Sequence, residues 1–302
     1  MDYAEAREAF FQPRESTAPP PGIDWASPAR ELRDAIEPLA TISFWSEPAY
    51  AEYEALGLDF LTGYVWSRSS VMGTPDAGVV AAAFAVFEPG AIAGLLGAAR
   101  DACGLDAIRA ARETGAVLAL HDALGEDPDG LADVVAVLRR AGEALDLAGR
   151  PLHAGLRGLP WPDDLHGRLW HACSLLREGR GDGHVGALVA HGIGGLQANL
   201  LTELWVGWSG FAYTASRAWP EEEVQRAAAD LEARGLIDGE ALTDDGLELR
   251  RAIEAATDRA MAPALAAAGD ELGAVVARCE AWAAQVVERG WFPPDDYKRA
   301  SG

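Results

Sequence analysis

Along most of this chain, apolar residues recur three and four positions apart, the spacing that places them on one face of a helix. The first such set is Leu32, Ile36 and Leu39. It follows Ser27-Pro28, a hydroxyl cap before a proline at the first helical position. AYAEYEALGL predicts a short helix ending at Gly57, and LDFLTGYVWSRSSVMG another ending at Gly73. Pro89 opens EPGAIAGLLGAARDACG, and Ala/Leu-rich helices follow over 105–124 and 130–147. Pro162 starts WPDDLHGRLWHACSLLREG, with Leu165, Leu169, Ala172 and Leu176 as its stripe. Asp163 and Asp164 fall in its first turn, where the helix dipole favours anions. Gly179, Gly181 and Gly183 are expected to break the chain, and a further helix spans about 184–206. Strand signals are scarce: VVAAAFAVF alone has some β character, diluted by its alanines. A last helix over 262–289 carries Leu265, Leu272, Val275, Val276, Cys279, Trp282 and Val286. Such a stripe packs on another helix or on a partner subunit, and a homodimer is expected.

The C-terminal third has a different rhythm. Trp219-Pro220 opens PEEEVQRAAADLEARGLI, a helix stopped by Gly235. Leu236-Ile237 and residues 240–242 read as two short strands, and Thr243 caps the next helix. Helix, hairpin and capped helix in this order form the pattern of a winged helix. The reading is therefore mainly α: a multi-helix bundle over 23–215, followed over 216–302 by a winged-helix-like region with a small β-hairpin and a C-terminal helix. Residues 1–22, ending in PRESTAPPPG, read as an extended proline-rich arm.

The segments LWHACSLLREGRGDGHVGALVAHGI and WPEEEVQRAAADLEARGLIDGEALTDDGLELRRAIEAATD resemble an actinobacterial family of helical proteins described as helix-turn-helix or SalK-like. The resemblance runs over roughly residues 32–284 and brings no settled activity with it. The C-terminal piece is also similar to regulators of the MarR type. An Arg-, Ala- and Gly-rich composition with Lys298 as the one lysine fits a high-GC bacterium.

Charge changes what the winged helix implies. The chain holds 25 basic and 47 acidic side chains, a formal net charge of −22. Its would-be DNA surface carries Glu221, Glu222, Glu223, Asp230, Glu232, Asp238, Glu240, Asp244, Asp245 and Glu248 against Arg226 and Arg234. DNA affinity rests mostly on phosphate neutralisation by Lys and Arg, so duplex DNA is not an expected partner. No apolar run reaches the ~18 residues that cross a bilayer, and the acidic N-terminus lacks a signal peptide's apolar region. Cys103, Cys173 and Cys279 lie far apart with no CxxC pair, as in reduced core cysteines. The expected setting is cytoplasmic.

Candidate chemistry concentrates in Trp170–His191, which holds three of the six histidines; His166 lies just before it. If the glycines fold the chain back, His171, Asp182 and His184 converge and supply acid–base chemistry near neutral pH. The same residues also read as a core histidine and a capping aspartate around a turn. Tyr64, Trp66, Arg68, Trp170, Arg180, His191 and Asn199 are the expected small-molecule contacts, with Arg68 and Arg180 favouring an anionic ligand. No metal is assigned: His184 and His191 stand ~10 Å apart along a helix, and no carboxylate spacing supports His171 with His184. The P-loop, HExxH and GxSxG motifs are absent, and no cofactor is identified. Two functions remain open. One is an enzyme of bacterial specialised metabolism using His/Asp acid–base chemistry on a small molecule. The other is a non-catalytic ligand-binding or regulator-like protein whose winged helix does not bind DNA strongly.

Overall fold

The structure, a computed structural model of the chain, describes residues 2–11, 20, 24–208 and 212–294. Regular structure begins earlier than the proline-rich arm suggests. Helix α1 (Tyr3–Phe10) is held by a capping box in which Asp2 accepts from the Glu5 N–H and Glu5 accepts from the Asp2 N–H. Tyr3 Oη donates to the Trp45 carbonyl at 2.7 Å, which ties α1 to the bundle. The rest of the arm, apart from residues 11 and 20, lies outside the described residues.

The bundle follows as α2 (Pro28–Ala40), α3 (Ile42–Trp45), α4 (Glu47–Ala55), α5 (Phe60–Ser69), α6 (Ala77–Phe84), α7 (Pro89–Ala102), α8 (Leu105–Leu124), α9 (Leu131–Glu143), α10 (Pro151–Arg157) and α11 (Leu165–Ala190). Ser27 accepts from the Arg30 N–H ahead of Pro28, the cap read from sequence. Gly57 and Gly73 end their helices with φ of 79° and 85°, the left-handed region that glycine tolerates. The ambiguous VVAAAFAVF is helical through Phe84: its alanines favour α6, the chain leaves the helix at Ala85, and no partner strand exists there among the described residues.

The largest correction concerns α11. Its first residue is Leu165, with Asp164 rather than Pro162 marking the start: Asp164 Oδ1 accepts from the Gly167 N–H. The helix then runs unbroken through Gly179, Gly181 and Gly183. Two of these glycines serve close packing rather than a turn. A Cβ at 179 would lie 2.5 Å from Leu145 Cδ1 and 3.1 Å from His153 Nδ1, and one at 183 would lie 3.1 Å from Ala260 Cβ. The chain turns instead at Gly192, where φ is 69°. The helix expected over 184–206 is accordingly split between the end of α11 and α12 (Gly195–Val206).

After α13 (Ala212–Ala215) come α14 (Glu221–Ala233), β1 (Ile237–Asp238), β2 (Ala241–Leu242) and α15 (Asp244–Ala260). The strands pair antiparallel, Ile237 opposite Leu242 and Asp238 opposite Ala241, around Gly239 at φ 58°. Thr243 accepts from the Gly246 N–H and donates to the Gly235 carbonyl, closing the hairpin onto α15. The expected final helix is two, α16 (Ala262–Ala268) and α17 (Leu272–Glu288), parted at Gly269 with φ 58°.

Helix α11 is the axis of the molecule. Leu169, Trp170, Cys173 and Leu176 enter one core with α2, α8, α9, α16 and α17. Leu175 enters a second core with α4 to α8 and α10. Ala187 and Leu188 enter a third with α12, α14, β1 and α15. The stripe of α17 is consumed within the chain: Val275, Val276, Cys279, Trp282 and Val286 are buried in the first core, where α17 packs along α2. The homodimer expected from that stripe loses this surface. No single helix among the described residues is long and apolar enough to cross a membrane.

Candidate functional site

A helix turns about 100° and rises about 1.5 Å per residue. On α11 this places His171, Glu178 and Asp182 near one line, with Arg177, Arg180 and His184 on the opposite side. Since no turn folds the chain back, His171 and His184 stand about 20 Å apart along the axis, thirteen residues at that rise. The expected convergence of His171, Asp182 and His184 on one cavity does not occur.

Each of the three has a separate environment. Asp182 Oδ2 accepts from the His153 N–H at 3.0 Å. The N-cap position of α10, Arg150, offers no side-chain acceptor, so a neighbouring helix supplies the cap. Burial raises the Asp182 carboxyl to about 7, with Glu178 adding to the rise and the backbone N–H groups of α10 opposing it. On the other face, His184 Nδ1 lies 2.9 Å from Thr257 Oγ1. Thr257 donates its own proton to the Ile253 carbonyl, so the imidazole donates through Nδ1. Burial lowers His184 to about 4, against the pull of Glu254 and with the help of Arg180, Arg250 and Arg30. His171 packs edge-on to Trp161, ring centroids 4.6 Å apart. Burial first, then Arg112 and Arg139, lower it to about 3.

Most of the expected ligand contacts are engaged inside the protein. Arg68 grips Glu178 through Nε and Nη2 at 3.0 and 2.9 Å and donates to Tyr64 Oη at 3.0 Å. Arg177 bridges Glu178 at 2.7 Å and Glu37 at 3.1 Å. Burial opposes ionisation of Glu178, yet Arg68 and Arg177 hold its carboxyl down at about 2. Arg180 pairs with Glu254 and Asp258 at 3.1 and 3.3 Å. Trp66 Nε1 donates to the Cys103 carbonyl. His191 Nδ1 donates to the Ala187 carbonyl one turn back. Asn199 and Trp219 both donate to the Val86 carbonyl, fastening the winged part to the corner after α6. Trp205 stacks on Trp25 at 5.9 Å.

Trp170 differs from the other expected contacts, and it leads to a residue that sequence reasoning missed. Its Nε1 has no hydrogen-bond partner among the described residues, nor has His171 Nε2. Over the Trp170 ring, 4.4 Å from its centroid, lies the guanidinium of Arg112 on α8. Arg112 is 4% exposed. Its Nε lacks a hydrogen-bond partner. Burial lowers its pKa to about 10, against the pull of Tyr53, Glu178 and Glu113, which act on it through space. A buried charge without a directly paired carboxylate is expensive. Arg112 Nε, Trp170 Nε1 and His171 Nε2 are thus three buried polar atoms without partners on neighbouring side chains of α8 and α11. The signal was available: Arg112 interrupts the apolar face formed by Ile108, Ala111, Ala116 and Ala119. His166 leaves this neighbourhood altogether and faces His121, ring centroids 3.9 Å apart.

On the winged helix, nine of the ten acidic side chains of α14, the hairpin and the first turns of α15 are exposed, Glu223 being half-buried. Both arginines are held by acids, Arg226 by Glu223 at 3.8 Å and Arg234 by Asp230 at 3.7 Å. A family model described as a helix-turn-helix family matches residues 29–293. No curated protein and no solved structure matches the chain.

Proposed function

Because the chain belongs to this helix-turn-helix family across residues 29–293, we propose that it is a non-catalytic, regulator-like protein that senses a small anionic ligand in its helical bundle. The observation that carries this reading is the continuity of α11. One helix presents Trp170 and His171 beside Arg112, and further along is clamped to α15 of the winged part by Arg180–Glu254, Arg180–Asp258 and His184–Thr257. A ligand that neutralised Arg112 would act on the same rigid element that positions the winged helix, which is the physical requirement for coupling two sites. An acid–base enzyme finds less support, since the proposed catalytic groups are dispersed along α11, with Asp182 and His184 each engaged in a hydrogen bond of its own. Likeness to SalK-like actinobacterial proteins and to MarR-type regulators belongs to the same proposal.

The family's helix-turn-helix character raises DNA as a partner, and direct DNA reading is the second reading. The exposed acids favour the first, in which the winged helix does not hold duplex DNA strongly by itself. Fluorescence anisotropy with a labelled random duplex and with a duplex selected from the native promoter region tests this. The expected result is no salt-sensitive binding at physiological ionic strength. Submicromolar, salt-sensitive affinity would replace the first reading with the second.

A further inference from the structure

Two histidines and an aspartate meet where the last turn of α8 faces the first turn of α11. His121 Nε2 lies 3.0 Å from Asp164 Oδ2. His166 Nδ1 lies 3.8 Å from Asp164 Oδ1. One nitrogen or oxygen from each residue falls within 4.8 Å of the others. Tetrahedral zinc with bonds of about 2.0–2.1 Å sets its ligand atoms roughly 3.3 Å apart, so small side-chain rotations bring these three around one ion.

The surroundings orient the trio as a ligand set. His166 Nε2 lies 2.9 Å from the Gly125 carbonyl. A carbonyl only accepts, so Nε2 carries the proton and Nδ1 presents its lone pair. A ring N–H fixed on a backbone carbonyl is the usual outer support of a metal-bound histidine. Asp164 Oδ1 is occupied as the cap of α11, accepting from the Gly167 N–H at 3.0 Å; this fixes the carboxylate and leaves Oδ2 facing His121. Glu126 Oε2, on an exposed side chain, stands 3.3 Å from His121 Nδ1, the ring nitrogen turned away from Asp164, where a carboxylate supports a ligating ring from outside. His166 is buried at 2% exposure, and a neutral imidazole is the form that binds a metal.

We propose that His121 Nε2, Asp164 Oδ2 and His166 Nδ1 bind one divalent transition-metal ion of the zinc type, with water in the remaining position. Two imidazoles and a carboxylate match that class. The ion would join the C-terminal end of α8, the helix that carries Arg112, to the start of α11. The site stands independently of the regulator reading.

The test uses the whole chain, stripped with a chelator and desalted. Zinc chloride is titrated in by calorimetry, and cobalt(II) is followed by its visible absorption. The expected result is one ion per chain, micromolar affinity or tighter, and cobalt bands of tetrahedral intensity. Affinity should fall as the pH is lowered, because protons compete with the ion for the imidazole nitrogens. Asp164→Asn keeps a side chain that caps α11, and His166→Gln keeps an amide that can bond the Gly125 carbonyl. Each should retain the fold by circular dichroism and weaken zinc binding by at least about a hundredfold, the upper range reported for outer-shell losses alone. Absence of stoichiometric binding by the wild-type chain overturns the proposal. So does zinc affinity unchanged in both variants.

Discussion

Arg112 is buried over Trp170 without a carboxylate partner, whereas Arg68 is buried in the grip of Glu178. Replacing a whole buried ion pair by apolar groups of similar volume is often neutral or stabilising by about 1–4 kcal/mol, because the desolvation cost is relieved, while stripping one partner from a buried pair costs about 3–5 kcal/mol. Arg112→Met is therefore expected to hold or raise the melting temperature, and Arg68→Met to lower it sharply. Small anions that raise the wild-type melting temperature should lose that effect in Arg112→Met. Thermal unfolding with and without acetate, benzoate or phosphate reads all three. A large loss of stability in Arg112→Met would show that its stacking on Trp170 outweighs its desolvation. This contrast also explains what the sequence could not say about the site. Arg68 and Arg180 read as ligand arginines, yet their carboxylates lie 110 and 74 residues away in sequence. Such pairings leave no local signal, while Arg112 on an apolar face does.

Asp182 gives a second test at this scale, in its pH dependence. Its carboxyl sits at about 7 in the fold, against about 3.9 in the unfolded chain. Between these values the folded state holds more protons, so this group's contribution to stability falls as pH rises from about 4 to about 7 and is level above. His171 and His184 act the opposite way. Their folded values, about 3 and about 4, lie below the unfolded value, so their contribution grows as pH rises through that window to about 6.5. The difference between Asp182→Asn and wild type isolates the carboxyl, since asparagine can still accept from the His153 N–H. Relative to wild type, the variant should gain melting temperature as the pH rises from about 4 to about 7. A constant difference across that range would contradict the raised value.

At the scale of elements, the capping residues were legible. Ser27, Thr243, Pro89, Gly57, Gly73 and Gly235 each occupy the boundary that their chemistry favours. Gly179, Gly181 and Gly183 are the same residue type for another reason. Leu145 and Ala260, distant in sequence, approach where a side chain at 179 or 183 would stand. Substitution separates helix from turn. In a helix, Gly181→Ala should stabilise by about 0.5–1 kcal/mol, the propensity difference between the two residues, because its Cβ meets nothing closer than Glu178 Oε2 at 3.9 Å. Gly179→Ala meets Leu145 at 2.5 Å, and overpacking of about 1–3 kcal/mol should outweigh that gain. Chemical denaturation of the two variants checks the signs. Loss of stability at 181 would indicate a turn.

At the scale of the molecule, the mainly helical class, the bundle and the terminal hairpin were legible because each rests on local periodicity and caps. The partner of the α17 stripe was not, since an apolar face carries no mark of whether α2 or a second chain covers it. The acidity of the winged helix is a whole-surface property that can be tested by changing it. Glu232, Asp238 and Glu240 are exposed on α14 and the hairpin. Lysine at 232 lies near the C-terminal end of α14, where the dipole favours a cation, and the other two positions follow the helix, so the fold should persist. If charge is what keeps DNA away, E232K, D238K and E240K together should create binding to random duplex at low salt. Each new phosphate contact steepens the dependence of log K on log salt by about 0.9, so three lysines add at most about 3 to the slope. Anisotropy titrations over a range of salt concentrations measure that slope. If the triple variant still ignores DNA while its circular dichroism and melting temperature match wild type, acidity is not the barrier. The geometry of the hairpin and α14 would then be unfit for a groove, and the winged helix would act through packing on α11 and α15 alone.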